Sequence, residues 1–176
     1  MMTTDCSDES LRELAQKLAR HCLPQGWQVV TAESCTGGWI GKVCTDLPGS
    51  YGWFAGGLIS YSNTAKTAML GVPEDLLERF GAVSEPVALA MAQGALSRTN
   101  AHLCVAVSGI AGPGGATLTK AVGTVCLAWA MQNNAALFSK SLTCQFSGDR
   151  ESVRRQTVAA ALRGLLDMHG ASAKTP

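Results

Sequence analysis

The chain has 176 residues, a length that fits one compact domain. Apolar residues make up 47% of it and charged residues 15%, whereas charged residues usually account for about 25%, so a buried core is expected and disorder is not. The formal net charge is +1. No global field therefore favours DNA, RNA or an anionic membrane, and neither nucleic acid nor membrane is expected as a partner.

The seven cysteines argue against a disulfide framework and against a structural zinc site. Their number is odd, no pair has C-x-x-C spacing, and most lie in apolar runs, so we expect small buried side chains in a reducing compartment. Near the N-terminus the acidic residues Asp5, Asp8 and Glu9 replace the basic-then-apolar pattern of a secretory signal. No apolar run reaches the ~18–20 residues of a membrane span. The expected location is the cytoplasm.

In chain order, helical and strand patterns mingle. The first helix has its apolar stripe on residues 11–22, a cap at Ser7 or Ser10, and its end at Pro24 and Gly26. Further helices are predicted over residues 36–46, 64–70, 74–80, 84–98 with Ser84 as cap, and from an Asp149 cap to about 169. Strands are predicted over residues 27–31, 54–60, 103–108, 123–131 and 136–145.

This order predicts an α/β fold: a single-domain mixed β-sheet flanked by helices on both faces. The last two strands form a hairpin through residues 132–134, which requires an antiparallel pair and disfavours a purely parallel Rossmann sheet. No repeat or linker divides the chain. We expect one domain over residues 1–176, with its core at about 7–169 and a frayed tail over 170–176.

The first loop with candidate functional residues spans residues 31–38, at a strand-to-helix turn. Such turns bind ligands in open α/β sheets, because free N–H groups at the helix N-terminus face the ligand. Ser34 is therefore a candidate nucleophile for an acyl carbon, with neighbouring N–H groups as an oxyanion hole. The equally weighted alternative is that Ser34 or Thr36 only caps the helix and the glycines permit close packing.

A second loop, residues 60–66, offers a partner for a serine nucleophile. None of the three histidines falls near it in the predicted elements, so a Ser-His-Asp triad is poorly supported. A lysine kept neutral by burial, or a tyrosine that relays the proton, is the alternative, and Lys66 and Tyr61 flank one turn. Taken alone, a packed tyrosine and a solvated lysine are the more common interpretation of these two residues.

The third loop, residues 108–115, contains four glycines and a proline after a buried strand. Its backbone can approach a ligand closely, but it is neither a Walker loop nor a G-x-G-x-x-G fingerprint. Ser108 and Gly109 begin this loop and are expected to contact substrate.

Six segments follow one another in a characteristic order: Ala32-Glu33-Ser34-Cys35-Thr36-Gly37-Gly38, Tyr61-Ser62-Asn63 with Lys66, Gly81-Ala82-Val83-Ser84-Glu85, Ser108-Gly109-Ile110-Ala111-Gly112-Pro113, Val122-Gly123-Thr124-Val125 and Gly148-Asp149-Arg150. This series resembles the CinA C-terminal domain family, whose stand-alone members include nicotinamide mononucleotide deamidase. The resemblance covers about residues 28–161, and its first motif is highly specific. The nucleotide-binding N-terminal domain of longer CinA proteins has no counterpart, so the chain resembles the stand-alone form.

The resemblance implies hydrolysis of nicotinamide mononucleotide to nicotinate mononucleotide and ammonia, in pyridine nucleotide recycling. Ser34 matches the family nucleophile, and Tyr61 and Lys66 match its assisting pair; either accepts the serine proton. N–H groups near Thr36, Gly37 and Gly38 would hold the oxyanion of an acyl-transfer reaction that needs neither metal nor cofactor. Arg150, at the start of the last helix, is the weaker candidate for the substrate phosphate.

One loop departs from the family pattern. Residues 116–121 lack the acidic residue and the proline that commonly precede Val-Gly-Thr, although Lys120 remains. A non-catalytic or altered-specificity paralogue that binds a nucleotide-like ligand is therefore the alternative to the enzyme. The partners expected are a small nucleotide substrate and further copies of the same chain.

Overall fold

The computed structural model describes residues 5–133 and 136–172, with the side chains of 169–172 left out. In these residues a single five-stranded sheet is combined with six α-helices. The strands are β1 (Val29–Glu33), β2 (Phe54–Ile59), β3 (Leu103–Gly109), β4 (Thr124–Asn133) and β5 (Ala136–Gln145). The helices are α1 (Asp8–Cys22), α2 (Trp39–Thr45), α3 (Asn63–Leu70), α4 (Glu74–Phe80), α5 (Glu85–Ser97) and α6 (Arg150–Ser172).

The sheet is mixed, as predicted. Its strand order is β2-β1-β3-β4-β5. Strand β1 pairs in parallel with β2 on one side and with β3 on the other, whereas β4 is antiparallel to both β3 and β5. The chain leaves β1 for one neighbour and returns to its other side, so the strand order reverses at β1, a point where open α/β sheets bind their ligands.

Helices cover both faces of the sheet, which confirms the predicted fold class. Alternate strand side chains divide the core: Val105 and Leu127 belong to the cluster with α1, α2 and α6, whereas Cys104 and Ala128 belong to the cluster with α3, α4 and α5. This alternation follows from the two-residue period of a strand. Both faces of the central strands are buried, which explains why β1 and β3 lack polar-apolar alternation.

Two predicted boundaries around the first loop were wrong. Strand β1 begins two residues after Trp27 and runs to Glu33, because Thr31 and Glu33 are buried side chains that hydrogen-bond to each other. Helix α2 begins at Trp39 and not at Thr36, because Gly37 and Gly38 have φ of 62° and 94°, which a right-handed helix does not allow.

The predicted helix caps have mixed outcomes. Ser7, not Ser10, caps α1, and the Asp149 side chain accepts a hydrogen bond from the Ser152 amide at the start of α6. Ser84 precedes α5 as predicted, but its hydroxyl donates to the Gly81 carbonyl and makes no capping bond. Helix α6 extends to Ser172, three residues beyond the predicted end.

The predicted hairpin is present as paired strands, with Asn133 opposite Ala136. Its Asn134, and residues 173–176 of the expected tail, lie outside the described residues. All seven cysteines are free thiols, and five of them are buried. Within the described ranges, no helix combines the length and apolar character required for a membrane crossing.

Candidate active site

A cavity of about 210 Å³ lies at the carboxyl end of β1, where the strand order reverses. The carboxyl ends of β1, β2 and β3 meet at this edge, because the three strands are parallel. Six of the nine predicted site residues line the cavity: Ser34, Tyr61, Lys66, Ser108, Gly109 and Arg150. The other lining residues are Cys35, Ala82, Val83 and Ala111. The three loops singled out in the sequence thus converge.

Ser34 and Lys66 are in hydrogen-bond contact inside this cavity. Ser34 directly follows β1, and its amide donates to the Val107 carbonyl at 3.1 Å, which continues the ladder to β3. Lys66, on α3, places Nζ 3.0 Å from Ser34 Oγ. Only 7% of Ser34 and 1% of Lys66 is exposed. The serine hydroxyl therefore faces an amine that is shielded from solvent.

Two carbonyl oxygens fix the remaining directions of the Lys66 amine. Nζ lies 2.9 Å from the Ser60 carbonyl oxygen and 3.2 Å from that of Tyr61. A neutral amine has two N–H donors and one lone pair. With both donors on these carbonyls, the lone pair is left for the Ser34 hydroxyl proton.

Burial also lowers the pKa of Lys66 below its ordinary value of 10.5, because removal from water penalises the ammonium form. The nearby Cys35 opposes the shift only when it is a thiolate. Burial raises the pKa of that thiol to about 12, so at neutral pH it contributes no counter-charge. No carboxylate in the described chain forms an ion pair with Lys66.

Tyr61 and Arg150 lie at the mouth of the cavity. Tyr61 is 64% exposed, and its carbonyl, not its hydroxyl, contacts Lys66. The hydroxyl instead accepts a long hydrogen bond of 3.5 Å from Arg150 Nη2. Arg150 also donates from Nη1 to the Gly112 carbonyl at 2.8 Å. The predicted assisting pair is therefore divided, with only Lys66 touching the serine.

Ser108 and Gly109 close the floor of the cavity at the end of β3. The Ser108 hydroxyl donates to the Ala82 carbonyl at 2.7 Å, which ties the loop before α5 to the sheet. A Cβ on Gly109 would lie 2.6 Å from the Val125 side chain, so the close approach of β3 and β4 requires glycine here. Both residues line the cavity.

Thr36, Gly37 and Gly38 do not line it. The amide of Gly37 donates to the Ser34 carbonyl at 3.1 Å. Glu33, fully buried, accepts from the Thr36 hydroxyl at 2.6 Å and from the Gly38 amide at 3.0 Å. The same carboxylate accepts from three more groups in this region: the amides of Ile40 and Gly41 and the Thr31 hydroxyl.

Sequence reasoning missed the roles of Glu33 and Arg154 in holding this loop. Glu33 belongs to the first motif, and a carboxylate before a helix is itself a sign of amide binding at the helix N-terminus. Arg154 donates to the carbonyls of Cys35 at 3.1 Å and Thr36 at 2.7 Å. Its position one helical turn after Arg150 on α6 was the signal that could have indicated it.

A metal-binding cluster is not evident in the described part of the chain, where no three His, Cys, Asp or Glu side chains come close enough to share an ion. The chemistry available at the cavity is that of a serine beside a buried amine. Such an arrangement serves nucleophilic attack on an acyl carbon, because the amine can take up the serine proton.

Comparison with known proteins identifies relatives along most of the chain. The chain is similar to "Nicotinamide-nucleotide amidohydrolase PncC" from Pseudomonas putida, with 50% identity over 160 residues that cover 91% of this chain and 98% of that protein. It is 46% identical to the protein of the same name from Escherichia coli K12, over 90% of this chain and 94% of that one.

Solved structures of similar sequence share this fold. The competence/damage inducible protein CihA from Agrobacterium tumefaciens superposes with a TM-score of 0.84 at 42% identity, covering 90% of this chain and 94% of that one. A competence or damage-inducible protein from Enterobacter asburiae superposes with a TM-score of 0.85 at 36% identity. The profile of the CinA C-terminal domain matches residues 11–169. The chain therefore belongs to the CinA C-terminal domain family.

Proposed function

We propose that this chain hydrolyses the carboxamide of nicotinamide mononucleotide to give nicotinate mononucleotide and ammonia. The observation that carries the proposal is the 3.0 Å contact between Ser34 Oγ and the buried Lys66 Nζ, at the cavity where the strand order reverses. The names of the similar proteins from Pseudomonas putida and Escherichia coli K12 supply the substrate class.

The reaction proceeds through an acyl-enzyme. Ser34 Oγ attacks the carboxamide carbon while its proton passes to the neutral Lys66 amine. The C–N bond of the tetrahedral intermediate then breaks, and the proton carried by Lys66 leaves with the nitrogen as ammonia. A water molecule attacks the resulting ester and gives its proton to Lys66, and nicotinate mononucleotide is released as Lys66 returns that proton to Ser34 Oγ. No oxidant or reductant is consumed.

Lys66 is the general base in this proposal, in preference to Tyr61. The two carbonyls that hold Nζ leave its lone pair for the serine proton, and burial favours the neutral amine. The Tyr61 hydroxyl instead contacts Arg150 at the mouth of the cavity. Tyr61 accordingly orients substrate or closes the entrance, a role in which its loss is damaging but not fatal.

The oxyanion of the tetrahedral intermediate needs N–H donors. Of the amides in the loop from Ser34 to Gly38, those of Ser34, Gly37 and Gly38 donate to protein acceptors. The amides of Cys35 and Thr36 donate to no other residue in the described part of the chain. These two amides, one of them directly after the nucleophile, form the proposed oxyanion hole. Gly37 and Gly38 then shape the turn and do not bind the oxyanion themselves.

Arg150 is the proposed ligand of the substrate phosphate. Its guanidinium lies at the cavity mouth with Tyr61, and only one bond, to the Gly112 carbonyl, is short. The N-terminus of α2 is not available for the phosphate, because Glu33 already occupies its amides. A cavity of about 210 Å³ suits the nicotinamide ring, with the ribose phosphate extending toward Arg150.

The altered loop at residues 116–121 gives little support to the paralogue alternative. None of its residues lines the cavity, and the residues from Ala116 to Thr119 are exposed. Lys120 contacts the Phe80 carbonyl at 3.2 Å. The loop therefore lies outside the contacts between Ser34, Lys66 and their carbonyl partners.

The proposal includes cytoplasmic location and a homo-oligomer. The seven free thiols support a reducing compartment. Edge strand β5 exposes Leu137, Phe138 and Leu142, an arrangement that favours pairing with a second copy. Light scattering of the purified protein measures the mass directly; a monomer at micromolar concentration contradicts the oligomer.

The deciding experiment measures ammonia release from nicotinamide mononucleotide by the purified chain and by a Ser34→Ala variant. We expect turnover from the first only. Mass spectrometry of the product should show the carboxamide converted to a carboxylate with the glycosidic bond intact. Absence of turnover by the unmodified chain, with substrate binding retained, supports the non-catalytic paralogue.

A further inference from the structure

Arg154 forms two hydrogen bonds to the loop that carries the proposed nucleophile. It lies on α6, one turn after Arg150, and is half-buried. Its Nε donates to the Cys35 carbonyl at 3.1 Å and its Nη2 to the Thr36 carbonyl at 2.7 Å. The guanidinium carbon lies 5.0 Å from the centroid of the Trp39 ring, a cation–π contact.

These bonds determine where two amides point. In a trans peptide the carbonyl of one residue and the N–H of the next lie in one plane and point in opposite directions. Holding the Cys35 carbonyl therefore turns the Thr36 N–H away from Arg154. Holding the Thr36 carbonyl turns the Gly37 N–H away in the same manner.

The orientation of the Gly37 N–H in turn affects the Cys35 amide. The Gly37 N–H donates to the Ser34 carbonyl at 3.1 Å, and that carbonyl shares a peptide plane with the Cys35 N–H. Arg154 thus orients the Thr36 amide directly and the Cys35 amide through Gly37. These are the two amides of the loop that donate to no other described residue.

Glu33 accepts hydrogen bonds from other donors of this region, which are then not available to bind an anion. It binds the Thr36 hydroxyl and the Gly38 amide, together with two amides of α2. The amides at the N-terminus of α2 are therefore already occupied and are not available to an anion that enters the cavity. Cys35 itself lines the cavity beside Ser34.

We propose that Arg154 is a positioning residue that orients the amides of Cys35 and Thr36 as the oxyanion hole of the reaction at Ser34. This rests on the proposed amidohydrolase function but assigns a residue which does not line the cavity and does not touch the substrate. Its effect is on the transition state, because the oxyanion carries its charge only there.

The expected result of Arg154→Met follows from this indirect role. Removal of an oxyanion donor itself lowers kcat by about 10²–10³. With both amides present but less well oriented, we expect kcat to fall about 10- to 100-fold, with KM within about threefold. The midpoint of the pH–rate profile should not move, because Arg154 makes no contact with Lys66.

Arg155→Met is the matched control. Arg155 is the next residue of α6 and its guanidinium carbon also lies 5.0 Å from the Trp39 ring, but its hydrogen bonds go to Asp8, Glu151 and the Cys6 carbonyl. It should therefore leave kcat unchanged. Melting temperatures of both variants establish that the fold is intact. Should Arg154→Met not fold, Arg154→Lys, which keeps the charge but loses the two-pronged geometry, must show the same fall in kcat.

A second readout separates this inference from the proposed substrate. The ester p-nitrophenyl acetate acylates an activated serine, and the mass of the intact protein reports the acetyl group on Ser34. Arg154→Met should slow this acylation by a similar factor even if nicotinamide mononucleotide is not the substrate, whereas absence of nicotinamide mononucleotide turnover in the unmodified chain overturns only the proposed function. Equal kcat and equal acylation rates in Arg154→Met and Arg155→Met, or a fall confined to KM, overturn the positioning role. An unmodified chain that shows neither turnover nor acylation overturns both.

Discussion

Replacement of Lys66 tests the central feature of the proposed mechanism, the use of a buried amine as the base. Lys66→Met keeps an unbranched side chain but removes the nitrogen that contacts Ser34 Oγ and two carbonyls. Lys66→Arg keeps a positive charge that cannot give up its proton near neutral pH. Because the unmodified amine must be neutral to act, both variants should be similarly inactive.

The magnitude of the rate loss follows from the role assigned to the amine. General-base catalysis contributes about 10²–10⁴ in rate, equivalent to about 3–5 kcal/mol of barrier. We expect at least this loss for either variant. In the unmodified enzyme, kcat/KM should rise with pH through a midpoint below 10.5, because burial lowers the pKa of Lys66 and the neutral form is the active one.

The same amine should make the fold less stable as the pH falls. The unfolded chain holds the lysine proton up to about pH 10.4, whereas the folded chain releases it at the lowered pKa. Between these two values the unfolded state binds more protons, so the free energy of unfolding increases with pH, by at most about 1.4 kcal/mol per pH unit. Below the folded pKa the full penalty remains. Lys66→Met should therefore be more stable than the unmodified chain at neutral pH.

The assay combines pH–rate profiles of ammonia release with thermal melts at several pH values, for the unmodified chain and both variants. Loss of activity together with a gain in stability in Lys66→Met is the expected signature. Near-normal turnover by Lys66→Arg would show that only the positive charge matters, and would transfer the base role to Tyr61. A rate that rises with a midpoint at or above pH 10.5 in the unmodified enzyme would equally refute a buried amine of lowered pKa as the base.

Three further predictions concern the same cavity. Ser34→Ala should lower turnover by several orders of magnitude with little change in melting temperature, because Ser34 makes no capping bond to α2; turnover within about tenfold of normal would contradict the nucleophile. Arg150→Met should raise KM for the nucleotide more than it lowers kcat, and an unchanged KM would place the phosphate elsewhere. Activity should survive exhaustive chelation, because no metal-ligand cluster is found in the described residues, and recovery on adding zinc after a loss would refute the serine mechanism.

Much of the fold and part of the site could be predicted from local sequence. Apolar periodicity and the glycine and proline positions were sufficient for the six helices and five strands, and the hydroxyl, lysine and glycine residues at strand ends indicated Ser34 and Lys66. The errors occurred where buried polar groups decide the local structure. Glu33 extends β1 because its carboxylate is satisfied by donors from residues up to eight positions later, a set of contacts that no local pattern contains.

The proposed choice of Lys66 over Tyr61 as the base depends on the tertiary structure. Lys66 and Tyr61 are five residues apart, and the sequence assigns both to one turn. In the folded chain the lysine is only 1% exposed, whereas the tyrosine is 64% exposed. Since burial is what makes a lysine neutral, the residue types alone could not distinguish the two.

The proposed oxyanion donors also depend on contacts between distant segments. The sequence placed free amides near Thr36, Gly37 and Gly38, because a glycine-rich turn before a helix usually offers them. In the folded chain Glu33 and Ser34 accept from Gly38 and Gly37, while Arg154, 118 residues further on than Thr36, binds the carbonyls of Cys35 and Thr36 and so, we propose, orients the amides of those two residues. Local sequence determined which residues are candidates for the chemistry; contacts between distant segments decided which of their atoms are available for it, because each buried donor or acceptor must first find a partner.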